Sequence, residues 1–365
     1  MFTIIRKCLA VLFSKMRLLI FFCGKDKEHV RTLAHIKPIS VLLFVIAFVC
    51  ITVASFYLLT SVGSQKEMVS VEIANASSLK DISNSLQEKE LIKNKFFFDT
   101  LAYCLIGKRR VRSGEYEFSQ SMSQTTIVLM LANGKIKTYT ITIPEDWTVT
   151  QIATRLTEKK LVDYDEFMQL AKNKTFLREM KVPADSAEGY LFPKTYELER
   201  HMGEKKIMRL MINQFWREFP APLINRAQEL GLSVSETVTL ASLIGKEARV
   251  ANERALISAV FHNRLRMRMK LQSDPTAIYR FDEHRVIVSK RDLQRKTKYN
   301  TYLRVGLPKG PIANPGRESL LAALYPDDVD YIYFVANKNG SHNFSNNYKD
   351  HVNTINKLYK KKQRK

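Results

Sequence analysis

The stretch Ser233–Ala248, SVSETVTLASLIGKEA, decides how the larger part of this chain reads. Ser233, followed three residues later by Glu236, makes a capping-box pattern, in which each side chain satisfies a backbone N–H left open at the start of a helix. Within the helix so begun, Leu240, Leu243, Ile244 and Glu247 stand at i, i+3, i+4 and i+7 and share one face. Glu247 therefore closes an apolar stripe, while Lys246 points elsewhere, because i and i+1 positions do not face the same way. A carboxyl held against aliphatic surface resists ionisation, so its pKa rises above the ordinary value of about 4.3 for Glu. That is the property of a general acid working near neutral pH. The same pattern admits a purely structural reading, an ion pair with Arg249 or Arg254, since ion pairs perturb carboxylates as catalysis does.

Upstream, no charged residue occurs between Lys37 and Lys66, and 39–62, ISVLLFVIAFVCITVASFYLLTSV, is almost wholly apolar. A helix of that length crosses a hydrocarbon core of about 30 Å. The run is too long and starts too late for a cleaved signal peptide. Residues 1–37 carry Arg6, Lys7, Lys15, Arg17, Lys25, Lys27, Arg31 and Lys37 against Asp26 and Glu28. Positive flanks stay cytoplasmic, which places the long C-terminal part outside the cytoplasmic (inner) membrane. The earlier run Leu9–Cys23 is interrupted by Lys15 and Arg17 and reads as an interfacial helix. The chain carries a net charge of +22, most of it beyond the inner flank. Such a balance ordinarily suggests nucleic acid. The topology excludes that partner and favours an anionic polymer or membrane surface. Of the cysteines Cys8, Cys23, Cys50 and Cys104, only Cys104 reaches the outer side, so no disulfide forms there. Cys104 reads as a core residue.

The organisation expected is α+β. It comprises a cytoplasmic basic segment 1–38, a single transmembrane helix 39–62 and a small α+β unit 66–145. A mainly helical domain 146–357 with a β-hairpin follows, then a basic, partly disordered tail 358–365. In the small unit, VSVEI, GEYEF and KTYTITIPE read as strands around short helices. In the large one, DYIYFVANKNGSHNF reads as a hairpin turning at Asn339-Gly340. The Gly- and Pro-rich run 306–316 marks a shaped loop of the kind that carries sites.

The chemistry narrows by elimination. There is no P-loop, no dinucleotide fingerprint and no CxxC pair. His342 and His351 lack ligand spacing, so neither a metal nor a cofactor is expected. A carboxylate on an apolar helix face remains, in a chain whose loops are rich in Asn, Gln, Tyr and Asp, which is the inventory of a carbohydrate site.

The segment LASLIGKEARVANERALISAVFHNRLRMRMKLQSDPTAIY, with AEGYLFPKTY upstream and YNTYLRVGLPKGPIANPG, YFVANKNGSHNF and His351 downstream, resembles the MltG/YceG-like endolytic murein transglycosylases. The resemblance runs over about 66–357 and makes the small unit similar to that family's LysM-like subdomain. It implies a lyase that cleaves the MurNAc–GlcNAc β-1,4 bond within nascent peptidoglycan strands and leaves 1,6-anhydroMurNAc ends. Its partners would be peptidoglycan glycan strands, the cytoplasmic membrane and peptidoglycan synthases, with no nucleic acid. The motif's catalytic Glu, the last residue of A-S-I-[IV]-E-K-E, falls on Glu247. The motif's earlier acidic position is Gly245 here, so the resemblance leaves any supporting charge there missing. The Asp of the motif GYLFPDTY is Lys194. Substrate contacts are expected from Glu188, Tyr190, Gln272, Asp274, Tyr299, Asn300 and Thr301, against a reading of Asp274-Pro275 and Asn300-Thr301 as plain turns. Asn263 and Arg264 read as helix-to-loop hydrogen bonds. The departures at Gly245 and Lys194 keep open a catalytically silent scaffold that tethers synthases to glycan. A third reading, a basic protein binding anionic polymer, predicts binding that collapses with salt.

Overall fold

The computed structural model describes residues 38–107, 111–280 and 288–363, and of 38–41 and 359–363 only the backbone. The expected inner segment, its interfacial helix and Cys8 and Cys23 lie outside the described residues. The chain forms two units, 1–136 and 137–365. The division falls earlier than the boundary at 145/146 read from the sequence.

The first unit begins with α1 (Pro38–Leu59), twenty-two residues without a charge. Its described side chains are exposed almost throughout, and at 1.5 Å per residue it is ~33 Å long. It is followed by β1 (Val69–Ile73), α2 (Leu79–Glu88), α3 (Lys95–Ile106), β2 (Gly114–Phe118) and α4 (Gln124–Ala132). β1 and β2 pair antiparallel with Val71 opposite Tyr116. Alternation sends Val71, Ile73, Tyr116 and Phe118 to the face that packs on the helices. α3 turns Phe98, Ala102 and Ile106 inward at i, i+4 and i+8. That register leaves Cys104 exposed, contrary to the expectation that it is a core residue. The end of α1 is tied into this unit. Tyr57 stacks on Phe97 at 5.0 Å, and Gln124 Nε2 and Thr125 Oγ1 donate to the carbonyls of Tyr57 and Leu58 at 2.7 and 2.8 Å.

The second unit opens with β3 (Tyr139–Thr142), which the sequence reading placed in the small unit. It pairs antiparallel with β4 (Thr195–Leu198), Ile141 opposite Tyr196, across α5 (Val149–Glu158), α6 (Tyr164–Leu170) and α7 (Lys174–Glu179). Alternation alone identifies a strand but not its partner. Then come α8 (Glu204–Glu218), α9 (Ala221–Glu229) and α10 (Val234–Glu247). α10 starts at the capping box the sequence announces: Ser233 N donates to Glu236 Oε2 at 2.9 Å, and Glu236 N to Ser233 Oγ at 3.2 Å. Every residue from Thr237 to Gly245 is buried, so α10 is the central helix of the domain. Around it lie α11 (Arg254–Arg266), α12 (Asp274–Ile278) and α14 (Arg317–Leu324), with α13 (Lys290–Leu293) between the last two in sequence. The hairpin β5 (Tyr333–Ala336) and β6 (His342–Ser345) turns with Gly340 at φ +86°, a conformation open to glycine at no steric cost. α15 (Tyr348–Gln363) lies along the hairpin, His351 stacking on Tyr333 at 4.9 Å. The basic tail is thus helical as far as Gln363 instead of partly disordered.

The protein is therefore α+β and mainly helical, with three two-stranded sheets among the described residues.

Candidate active site

Glu247 is the last residue of α10, just beyond the stretch in which Leu240, Leu243 and Ile244 are fully buried. Burial pushes its carboxyl up to about 7. Asp274 raises it further; a hydrogen bond from Ser273 and the more distant charges of Arg249 and Arg264 oppose the shift. Ser273 Oγ donates to Glu247 Oε1 at 2.6 Å. Among the described residues no cation lies within ion-pair distance of Glu247. Arg254, one of the two arginines that might have paired with it, reaches Glu145 Oε2 at 3.5 Å instead. Arg264 is spent on the carbonyls of Ile332, at 2.7 Å, and Leu271, at 2.8 Å. Asn263 donates to the carbonyls of Val329 and Tyr331 at 2.7 and 2.9 Å. Both residues are the helix-to-loop bonds expected of them.

The loop that brings Ser273 to Glu247 is held from beneath. Ser273 N donates to Thr301 Oγ1 at 3.0 Å, and Thr276 Oγ1 lies 2.8 Å from the same oxygen. Asn300 is fully buried; its Nδ2 reaches the carbonyls of Leu293 and Arg295 at 3.0 and 2.9 Å, and its Oδ1 accepts from Tyr302 N at 2.9 Å. Asn300 and Thr301, expected to touch substrate, are thus buried supports of this loop. Gln272 and Asp274 are exposed beside Ser273, and Asp274 accepts from the Tyr302 hydroxyl. Gln272 adopts φ +50°, a strained value for a residue with a side chain. Sequence reading passed over Ser273 and Tyr302. A serine between two polar residues carries no periodic signal, and only the fold brings it to the carboxylate.

A second cluster centres on Glu188, which is buried. Its Oε1 accepts from Val149 N, at the start of α5, and from Asn314 Nδ2, both at 3.0 Å, and its Oε2 accepts from the Tyr279 hydroxyl at 2.8 Å. A carboxylate at the first turn of a helix also meets the favourable end of the dipole. Asn314 ties the cluster together by accepting from Leu191 N at 2.8 Å and donating to Trp147 O. Tyr279 packs edge-on against Tyr299 at 4.6 Å, with Arg280 over both rings. A cavity of about 760 Å³ opens here, lined by Trp147, Gln151, Arg155, Lys172, Glu188 and Arg280 among others, but not by Glu247. Tyr190 does not line it. Its ring is fully buried against Phe215 at 4.9 Å, so it packs the core and is no substrate contact, and burial pushes its hydroxyl up. Lys194 is an exposed residue leading into β4.

The space that Gly245 leaves open is filled by a carboxyl from elsewhere in the chain. A Cβ built there would lie 2.0 Å from Asp146 Oδ1. Sequence reading did not single out Asp146, which lies ninety-nine positions away. Among the described residues no group of His, Cys, Asp or Glu is arranged to hold a metal ion.

A mainly helical α+β domain with a half-buried, hydrogen-bonded carboxyl closing its central helix defines the class of protein. The sequence pattern of the YceG-like family matches residues 71–357, and the chain belongs to that family. A Bacillus subtilis (strain 168) protein named endolytic murein transglycosylase is 33% identical over 305 residues, covering 78% of this chain and 83% of that relative. One of the same name from Streptococcus pneumoniae serotype 2 (strain D39 / NCTC 7466) is 27% identical over 325 residues, covering 80% of this chain but only 59% of the longer relative. The crystal structure of a yceG-like protein from Listeria monocytogenes has a TM-score of 0.56 at 32% identity, over 79% of this chain and 99% of that one.

Proposed function

We propose that this protein is an endolytic lytic transglycosylase of nascent peptidoglycan, with Glu247 as its catalytic acid and base. The observation that carries the reading is the state of that side chain. Burial lifts its carboxyl to about 7, serine is its hydrogen-bond partner, and no cation pairs with it among the described residues. At neutral pH it is poised between both protonation states, as a group that must first give and then take a proton requires. Glu247 donates its proton to the glycosidic oxygen as the C1–O4 bond of MurNAc–GlcNAc breaks. Positive charge develops at C1. The C6 hydroxyl of the same MurNAc closes onto C1 and loses its proton to the Glu247 carboxylate. The products are a GlcNAc hydroxyl end and a 1,6-anhydroMurNAc end, with no water consumed. One carboxyl serves both steps, so no second carboxylate nucleophile is needed, unlike a retaining hydrolase. Gln272 and Asp274, exposed beside Ser273, Glu188, with the cavity it borders, and Tyr299, which packs on Tyr279, are the groups we assign to the glycan.

The remaining assignments follow the same reading. α1 is a single-pass anchor in the cytoplasmic (inner) membrane with the N-terminus inside, supported by its length, its apolar exposure and the basic flank. The small unit is a LysM-like module that holds glycan, and peptidoglycan synthases supply the strand that is cut. Termination of glycan elongation is the outcome.

The full chain, purified in detergent, is incubated with peptidoglycan, and the muropeptides are read by mass spectrometry. Anhydro-ended products from the wild type and none from Glu247→Gln are expected. Equal yields from both proteins would remove Glu247 from its role; glycan binding without new ends in either would leave a silent scaffold.

A further inference from the structure

Gly245 stands inside the last turn of α10, where a glycine weakens the helix and alanine would strengthen it. What requires the glycine is Asp146. Its Oδ1 lies 2.0 Å, and its Cγ 2.6 Å, from where a Cβ at 245 would stand. Asp146 itself sits at φ +63°, a strained value for a residue with a side chain. Its Oδ1 is buried without a hydrogen-bond partner among the described residues. Its neighbour Glu145 enters a second glycine slot in the same way, lying 2.0 Å from a Cβ built on Gly316. Three unfavourable features thus converge to bring one carboxyl against the turn that presents Glu247. Such convergence marks function sooner than stability.

We propose that Asp146 is the positioning carboxyl of the last turn of α10, delivered from the loop after β3 into the slot that Gly245 leaves open, where it holds the charge of Lys246 away from Glu247. This rests on Glu247 being the acid. The charged groups around Asp146 are Glu145, which raises its pKa, and Lys246 and Arg254, which lower it; with burial as the main cause it stands at about 7. Those around Glu247 are Asp274, Arg249 and Arg264. Lys246, the chain neighbour of Glu247, points to a different face of α10. With Asp146 gone, Arg254 keeps its pair with Glu145 Oε2 at 3.5 Å, but Lys246 is free to approach Glu247, lower its pKa and leave it ionised at neutral pH. The motif that this chain resembles carries an acid at position 245 itself, so the carboxyl has moved from the helix to the loop.

Two measurements on the full chain test this. The first is thermal unfolding of Gly245→Ala with and without Asp146→Gly. If the slot exists for the carboxyl, G245A lowers Tm in the wild-type background and raises it in the D146G background. A rise in both overturns the steric lock, whatever the activity. The second is kcat, KM and the pH profile on peptidoglycan. D146G is expected to lose about fivefold in kcat at pH 7, with the alkaline limb moved down by about one pH unit and KM within about twofold. D146G/G245E, which returns an acid to the helix, recovers both kcat and the limb. A D146G protein with wild-type kcat and limb, or a folded double variant no better than D146G, refutes the positioning role. Wild-type activity in Glu247→Gln refutes the acid assignment instead, and leaves the Tm reversal to judge the lock by itself.

Discussion

Replacing Ser273 by alanine tests how the protonation of Glu247 is set. Ser273 Oγ donates to Glu247 Oε1 at 2.6 Å, the length of a hydrogen bond to an ionised oxygen. This bond favours the carboxylate and so holds the pKa below the level that burial alone would impose. A hydrogen bond to a charged group contributes about 1.5–3 kcal/mol, and one pKa unit corresponds to about 1.4 kcal/mol. Glu247 is not sealed from solvent, so water replaces part of what the serine supplied. The net shift expected is about one unit upward, from about 7 to ~8. The acid must be protonated in the free enzyme, so the alkaline limb of kcat/KM reports this pKa. The assay is release of anhydro-ended muropeptides by the full chain across pH 5–9, with Ser273→Ala beside wild type. The limb should move up by about one unit. A limb that stays in place, or moves down, would refute the reasoning, because removing a donor to the carboxylate has no other sign.

Five further outcomes are expected. Glu247→Gln should lower kcat by about 10²-fold or more, measured by the same release assay. It should also flatten the dependence of Tm on pH. A carboxyl raised from about 4.5 to about 7 in the folded chain stabilises the fold below the lower value and loses that contribution as pH rises through the upper one, so the variant gains most at pH 8. Tyr279→Phe removes the donor to buried Glu188 Oε2, at a cost of about 1–3 kcal/mol by urea unfolding. Asn300→Ala leaves the Leu293 carbonyl and the Tyr302 N–H without these partners beneath the Ser273 loop, which should cost about 2 kcal/mol and lower kcat as the loop loosens. The full chain expressed in bacteria should resist alkaline carbonate extraction, whereas a chain beginning at Lys66 should be released.

The two clusters differ in what they ask of their carboxylates. Glu188 accepts three hydrogen bonds from a backbone N–H, an amide and a phenol, and is pinned in place. Glu247 accepts one from a serine and is left able to change its proton. Burial with several partners fixes a carboxylate in place, and burial with few leaves its proton free to come and go.

Elements with a strong local period were legible in the chain alone. The capping box at Ser233, the register that brings Glu247 to the buried face, the hairpin at Gly340 and the long apolar helix each depend on residues within a few positions of one another, so local chemistry decides them. The resemblance likewise puts the motif's Glu on Glu247. Pairing and partnership were not legible. β3 looked like the end of the small unit because alternation says nothing about which strand lies alongside, and its partner β4 comes after three intervening helices. Cys104 turned outward because the helix phase, set by Phe98, Ala102 and Ile106, left no place for it inside. Asn300, Thr301 and Tyr190 were the right residue types for sugar contacts, yet their hydrogen bonds and burial are directed into the protein. Whether Glu247 would be an acid or half of an ion pair was open in the sequence, since arginines stand on either side of the question. In the tertiary structure Arg254 is drawn to Glu145 and Arg264 to backbone carbonyls, a carboxyl from ninety-nine positions upstream fills the slot at Gly245, and Glu247 has no ion pair among the described residues. A pKa depends on what surrounds a group in space, and that is known only once the chain has folded.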